Sequence, residues 1–518
     1  MNKFLKKAEG FVASRGFSAG VVTAVVVAIV IVANIIIYSI TSLFGLSLSS
    51  PVKRDYSHIS EGTEKLLAPM EEEGDKVTIT FCMSREDLEV HVTGKYVLAT
   101  ADAFDKKYDF IELRFINLLT QMDEDGKLVK NLADYKTDMR GQPTELRTHS
   151  VIFEHEGGNY RVLTDLYSSA GFSDFFTLDS TGTAYAYSGE EVIAAMTSWV
   201  CQRNDERKTV YFTENHGETV DATFGSLLTS AGYYIDTVNL RTVGKVPEDA
   251  AFLVISNPTT DFERAAEGSG VYTELECLEE YLKSGNGGRG GKLYVSIDPY
   301  ADRLDNLEEF LDGFGIGLAG REGEFGYSRE LVIDPAESRA TDGMSFNAYY
   351  GSGEVSNRVI SKFADANTGK LLMSQVSRLE LDSARGAEAL LVSSPTSRAV
   401  CEGETLDKEG GYAVAAYSSR SEGDGAVSEI FVVPSVLMTN SDILLSGGYS
   451  NRNYVYALLD EIFEADTAIY GAKSIVYQSG AVENLTQRAA RIYTLILLAI
   501  PAIIAAAGAF VVIRRKRR

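Results

Sequence analysis

The chain is poor in the residues from which most protein chemistry is built: of 518 residues, four are cysteine, five histidine, ten proline and one tryptophan. Cys82, Cys201, Cys277 and Cys401 lie so far apart that no pair has zinc-knuckle or CxxC redox spacing. A dense disulfide framework is therefore excluded, while one or two long-range bridges stay open. Basic charge is in deficit, with 49 Lys and Arg against 73 Asp and Glu, a formal net charge of −24. Such a field repels a phosphate polyanion, so nucleic acid is not an expected partner. The catalytic signatures are missing as well. No HExxH helix and no GxxxxGK[ST] phosphate loop occurs, and no Gly-x-Ser-x-Gly elbow follows a strand pattern.

Charge is absent altogether from Gly16 to Val52, and Val21–Ser42 is nearly all aliphatic. That length suffices to cross the roughly 30 Å hydrocarbon core as a helix. It exceeds the apolar core of a signal peptide, roughly 7–15 residues. A second apolar run covers Ile492–Ile513. Two spans are expected, at 18–46 and 491–513. Lys3, Lys6, Lys7 and Arg15 precede the first, and five basic residues, 514–518, follow the second. The positive-inside rule then puts both tails, 1–17 and 514–518, on the cytoplasmic side. The expected protein is two-pass in the cytoplasmic membrane, touching lipid through its two helices, with an extracytoplasmic centre.

What is present between the spans has the pattern of an α/β protein. A first small α/β domain, 47–170, is expected from the strands Val77–Cys82 and Phe110–Ile116 with a helix over Val92–Lys106 between them, which makes a βαβ unit. A short helix Glu61–Leu67 stopped by Pro69 and Gly74, a helix Leu128–Asp138, and a hairpin over 150–163 complete it. A connecting segment, 171–206, carries the helix Glu190–Cys201 and the single tryptophan. From Lys208 strands and helices alternate: Thr209–Phe212, Tyr234–Val238, Phe252–Ser256 and Leu293–Ile297, with helices over Ala222–Ser230, Thr273–Lys283 and Leu304–Phe314. Near-continuous apolar strands imply a parallel sheet covered on both faces, a doubly wound larger domain over 207–470. Further strands are expected near 330–333, 389–392, 412–416 and 429–433, a last helix at Asn453–Phe463, and a linker at 471–490. The glycine-punctuated segments 341–353 and 418–427 read as loops.

Ligands in such sheets bind at the carboxyl ends of the strands. The candidate there is Glu214, His216, Gly217 and Glu218, directly after Thr209–Phe212, with Asp298 ending a later strand. Acid, imidazole and acid could do proton transfer or hold a ligand. They could equally form a turn in which Gly217 takes an unusual backbone angle. One histidine without a second nearby is a poor transition-metal set. Around the hairpin, alternation points His155 away from Glu154 and Glu156, so these do not converge on one ion. The run Gly285–Gly291 precedes its strand and lacks the Lys-Ser/Thr pair of a phosphate loop. Cys277 falls inside a helix whose glutamates, 274, 276, 279 and 280, read as its solvated face. No catalytic set, cofactor site or metal site is assembled.

In order and topology these features resemble a family. The N-terminal span, Tyr56-Ser57-His58-Ile59-Ser60 with Thr63, the strand Val77–Phe81, His216-Gly217-Glu218 after a strand, the Asn257-Pro258 strand end, Tyr281–Gly285 before Leu293–Ile297, and the basic C-terminal span are similar to the GldG-like (gliding-motility-type) auxiliary subunits of ABC transporters. The resemblance implies a glutamine-amidotransferase-like larger domain without its nucleophile. It also implies an ABC permease and a separate ATPase subunit as partners. The expected function is then a non-catalytic accessory subunit, binding substrate or coupling, and not an enzyme. The alternative is an envelope-facing hydrolase or ligand sensor using the strand-end cluster.

Overall fold

The computed structural model describes residues 55–476 apart from 130–131, 133–134, 136–144, 165–172, 179–183, 202–208, 266–271, 324–325, 339–341, 364–369, 446–448, 466–467 and 473. Helix α1 (Glu61–Glu73) starts where the Ser60 hydroxyl accepts the Thr63 N–H and ends at Gly74, φ 77°, whose N–H returns to Glu71 and Met70 carbonyls. Pro69 lies inside it. The expected stop at Leu67 fails because a proline removes one helical hydrogen bond, and the left-handed glycine, not the proline, ends the run.

Strand β1 (Val77–Phe81) leads through α2 (Arg85–Val90) and α3 (Gly94–Lys107) to β2 (Ile111–Asn117), which pairs with β1 in parallel. The helix expected over 92–106 is α3, and the unexpected short α2 precedes it; between the two, His91 Nδ1 accepts the N–H groups of Thr93 (3.3 Å) and Gly94 (3.0 Å). Strands β3 (Met122–Asp123), β4 (Val151–His155) and β5 (Tyr160–Leu163) complete a sheet of order β3-β2-β1-β4-β5, with β4 antiparallel to β1. The helix expected at 128–138 lies mostly outside the described residues.

Helix α4 (Gly189–Cys201) packs on this sheet and is buried along almost its whole length. Its two leading glutamates are buried and partnered. Glu190 accepts from the Ser60 N–H (2.6 Å) and the Thr63 hydroxyl (2.8 Å).

The second sheet follows: β6 (Thr209–Thr213), α5 (Ala222–Ser230), β7 (Tyr234–Val238), β8 (Ala250–Ser256), α6 (Glu274–Gly288), β9 (Lys292–Ser296), α7 (Asp305–Asp312), β10 (Ser345–Tyr350), α8 (Glu354–Phe363), β11 (Leu371–Ser374), β12 (Ala387–Val392), β13 (Ala413–Gly423), β14 (Ala426–Val433) and α9 (Asn451–Glu461). Its strand order is β11-β10-β12-β13-β14-β9-β8-β6-β7. The five strands from β14 to β7 are parallel. From β13 to β11 the neighbours run antiparallel. The sheet is thus mixed, where an all-parallel one was expected. The difference comes from segments read as loops: 341–353 contains β10, and 418–427 contains the turn of the β13–β14 hairpin with the strand ends beside it. That hairpin turns through Asp424 (φ 49°) and Gly425 (φ 86°), the Asp-Gly pair a two-residue turn requires.

Strand β8 is buried at every residue. Period-two alternation sends Phe252 and Val254 into a core with α5, α8 and α9, and Leu253 and Ile255 into an opposite core with α6 and α7.

Among the described residues no helix is long and apolar enough to cross a membrane. The longest, α6 and α3, have 15 and 14 residues and carry several charged side chains, short of the roughly 20 apolar residues a span needs. The expected two-span, membrane-anchored fold class and its transmembrane helices are corrected accordingly: the structure shows a mixed α/β protein. The stretches 18–46 and 491–513 lie outside the described residues. Tyr56–Arg488 make one compact unit, and a second unit, 1–55 with 489–518, lies outside them save for Asp55.

Candidate functional site

From β6 the chain crosses to β7 on one side, and β8 then pairs on the other side of β6. The carboxyl ends of β6 and β8 therefore flank a topological switch point, the crevice where open α/β sheets bind ligands. The loop after β6 holds Glu214, His216, Gly217 and Glu218, so the fold does deliver the expected cluster to the expected edge.

The loop turns inward instead of opening to solvent. Asn215 (φ 89°) and Gly217 (φ 76°) take left-handed backbone on either side of His216 and drive its ring under the loop. The His216 side chain is 2% exposed. Its Nδ1 lies 3.0 Å from Glu218 Oε1 and its Nε2 3.1 Å from Glu274 Oε2. The ring stacks on Phe262 with centroids 3.8 Å apart and planes 13° apart. Glu218 also accepts the His216 N–H at 2.6 Å. Glu274 accepts the Glu263 N–H at 2.9 Å, and Arg241 stands 3.8 Å from its other oxygen.

The same loop is sewn to the end of β8. The N–H groups of Thr259 and Thr260 donate to the His216 carbonyl at 2.7 and 3.0 Å, and the Thr259 hydroxyl donates to it at 3.1 Å. The Thr219 N–H donates to the Ser256 carbonyl (3.0 Å), and the Ser256 hydroxyl returns a bond to the Thr219 carbonyl (2.6 Å). A Cβ on Gly217 would stand 2.1 Å from Thr259 Oγ1, so only glycine fits this approach.

Burial by itself would lower the His216 pKa. The hydrogen bonds and charges of Glu218 and Glu274 outweigh it and raise the imidazole above its ordinary value. Burial likewise pushes Glu218 up, and the bonds from His216 and from backbone N–H groups outweigh that, holding it below the ordinary carboxylate value. The cluster places a buried imidazole between two carboxylates, surroundings that favour its charged form. Each ring nitrogen is engaged by a carboxylate, so neither is open to a substrate. The arrangement clamps three segments together and leaves no lone pair for acid/base work.

The other expected members stay apart. Glu214 is exposed, and its N–H donates to the Val238 carbonyl (3.2 Å). Asp298 accepts the Tyr300 N–H at 2.9 Å, closing its own turn. Among the described residues, no hydrogen bond or ion pair joins either to His216. The residue that sequence reasoning missed is Glu274. It was read as part of a solvated helix face, yet it is 1% exposed and is the second clasp on His216. Its place in the first turn of α6 suits a carboxylate electrostatically, a signal that marks the type but not the partner. Glycines 285–291 also resolve as a terminus. Regular helical angles end at Ser284, Asn286 (φ 53°) and Gly287 (φ 66°) unwind the chain, and Gly290 passes too close to the Val427 carbonyl for any side chain. All four cysteines are free thiols.

No family model matches the chain, and no curated protein matches it. The expected classification as a GldG-family ABC transporter auxiliary is thus left without support and is withdrawn together with the transmembrane helices. Among solved structures, the chain is similar to one titled "mmIFT52 N-terminal domain", at 15% identity and a TM-score of 0.35, over 50% of this chain and 99% of that one. A likeness that low bears on neither fold nor function here.

Proposed function

We propose that the chain is a non-catalytic binding or coupling subunit that works through partner proteins. The observation that carries this reading is the filled switch point. The crevice that would hold a substrate is occupied by the protein's own His216 ring, hydrogen-bonded through both nitrogens and stacked on Phe262. Supporting it, among the described residues no hydrogen bond or ion pair joins the remaining strand-end acids Glu214 and Asp298 to the His216 cluster, and the four cysteines are free thiols. A permease and a separate ATPase, which only the family resemblance implied, are the partners to test, with nucleic acid disfavoured by the net charge of −24.

The test is affinity purification of the full chain from its native host in mild detergent, with mass spectrometry of what co-purifies at matching amount. Recovery of an ATPase and a multispanning permease supports an accessory role in transport. Recovery of the chain alone, with turnover of envelope glycans or peptides that His216→Gln abolishes, overturns the proposal.

A further inference from the structure

A second cluster lies at the start of β1 in the small sheet, away from His216. Asp75 sits in the turn between α1 and β1. His155 ends β4, where it pairs with Val77. Cys201 ends α4. Three elements bring these side chains to one point: His155 Nε2 is 3.1 Å from Asp75 Oδ1, and the ligand atoms of all three residues lie within 4.8 Å of one another. The Asp75 and His155 side chains are 18% and 15% exposed. Cys201 is half-buried, while Cys82, Cys277 and Cys401 are buried.

We propose that Asp75, His155 and Cys201 bind a zinc-class divalent cation, with a fourth position open to water or a small ligand. A thiolate, an imidazole and a carboxylate suit a borderline ion such as Zn²⁺, whereas Ca²⁺ and Mg²⁺ take oxygen ligands. Three protein ligands with one open position is the arrangement of exchangeable or reactive zinc sites, as opposed to closed four-ligand structural ones. Zinc bonds of about 2.0–2.3 Å in a tetrahedron put ligand atoms about 3.5 Å apart. The His–Asp pair, at 3.1 Å, is close to that spacing, and with all three ligand atoms within 4.8 Å of one another the set closes by side-chain rotation. Burial, then the negative charges of Asp75 and of Glu73, the last residue of α1, hold the Cys201 thiol above its ordinary pKa, so zinc displaces its proton on binding.

One contact opposes the ion. The Gly157 N–H donates to His155 Nδ1 at 3.0 Å, which holds the ring with Nε2 toward Asp75 but also keeps Nδ1 an acceptor. Metal on Nε2 requires Nδ1 to carry the proton, so this bond opens. It belongs to an exposed two-glycine turn, where Gly158 has φ 90°, and the turn can give without disturbing the strand pairing. The ion would join α4 to the β1–β4 edge. Sequence alternation separated His155 from its glutamate neighbours and so discounted a metal; the actual partners are 80 residues before it and at the end of a later helix.

The test uses the full chain, stripped with a chelator and titrated with Zn²⁺ by calorimetry and with Co²⁺ by absorption. About one ion per chain is expected, with a near-ultraviolet thiolate-to-cobalt band. Cys201→Ser should remove that band, and both Cys201→Ser and His155→Gln should weaken zinc binding by at least about tenfold. Zn²⁺ should also slow the reaction of Cys201 with a thiol reagent, a readout on the wild-type chain that does not depend on any variant folding. Cobalt binding without the sulfur band, unchanged thiol reactivity, or zinc affinity equal in Cys201→Ser would each overturn the assignment.

Discussion

His216 is a titratable group held out of water by its neighbours, and the energetics of the cluster follow from two pKa directions, His216 raised and Glu218 lowered. The raised imidazole contributes stability that is fully present below its unfolded value of 6.5 and is lost as pH rises through the folded value. The lowered Glu218 contributes stability present above its unfolded value of 4.5 and lost as pH falls through the folded one. The cluster therefore stabilises the protein most between these two values. Urea midpoints across pH 5 to 9 should fall more steeply for wild type than for His216→Gln; parallel curves would show the imidazole to be uncharged. The substitution itself leaves two buried carboxylates without their cation and should cost about 3–5 kcal/mol in urea unfolding. Gly217→Ala tests the loop separately. Its left-handed backbone and the 2.1 Å approach to Thr259 Oγ1 predict a loss of about 1–3 kcal/mol with far-UV circular dichroism unchanged. At this scale, His216 and Glu218 were legible because a strand end announces a site. Glu274 was not, because it lies 58 residues on and nothing local distinguishes a clasping glutamate from a solvated one.

Helix α4 opens on two buried glutamates, the second of them in an ion pair. Glu191 is buried and pairs with Arg452 of α9, and the Tyr456 hydroxyl donates to its other oxygen at 2.5 Å. The arginine is held above its ordinary pKa: burial opposes the charge, and Glu191 more than restores it. Removing one partner strands the other. Arg452→Met and Glu191→Gln should each destabilise by about 3–5 kcal/mol, and the double variant by clearly less than their sum, since it leaves no unpaired charge. Additive losses in a urea double-mutant cycle would show that the two residues act independently. Elements with a continuous apolar run, such as β8, or a clear helical period, such as α9, were legible within two or three residues of their observed bounds. Strand β10 was not, and of β13 and β14 only the stretches 412–416 and 429–433 were, without the hairpin turn that joins them. The exposed second half of β13 is serine, arginine, glutamate and glycine and so looks like a loop, and only the Asp424-Gly425 turn signals the pairing. Helix α8 was hidden behind the same glycine-rich lead-in.

For the whole molecule, sequence patterning separates 47–170 from 207–470 by a connecting segment, while the structure places Tyr56–Arg488 in one compact unit. The chain crosses between the sheets more than once. Trp199 of α4 is 1% exposed, with the Arg161 guanidinium of β5 4.8 Å from its ring and the Tyr234 ring of β7 5.4 Å away. Ile469, beyond α9, is buried in the core of the small sheet, and Ile475–Val476 pairs with Ala184–Tyr187 beside it. Neither core can be exposed without removing side chains from the other. Unfolding should therefore be a single event. Fluorescence of Trp199, the only tryptophan, reports the junction, and far-UV circular dichroism reports both sheets; their urea transitions should coincide. Ile469→Ala should cost about 2–5 kcal/mol and move both transitions together, although the residue lies far in sequence from the sheet it packs on. A tryptophan transition that shifts alone, with most of the ellipticity retained, would mean that the small sheet unfolds as a separate domain and that the shared helix is a linker between two independent bodies.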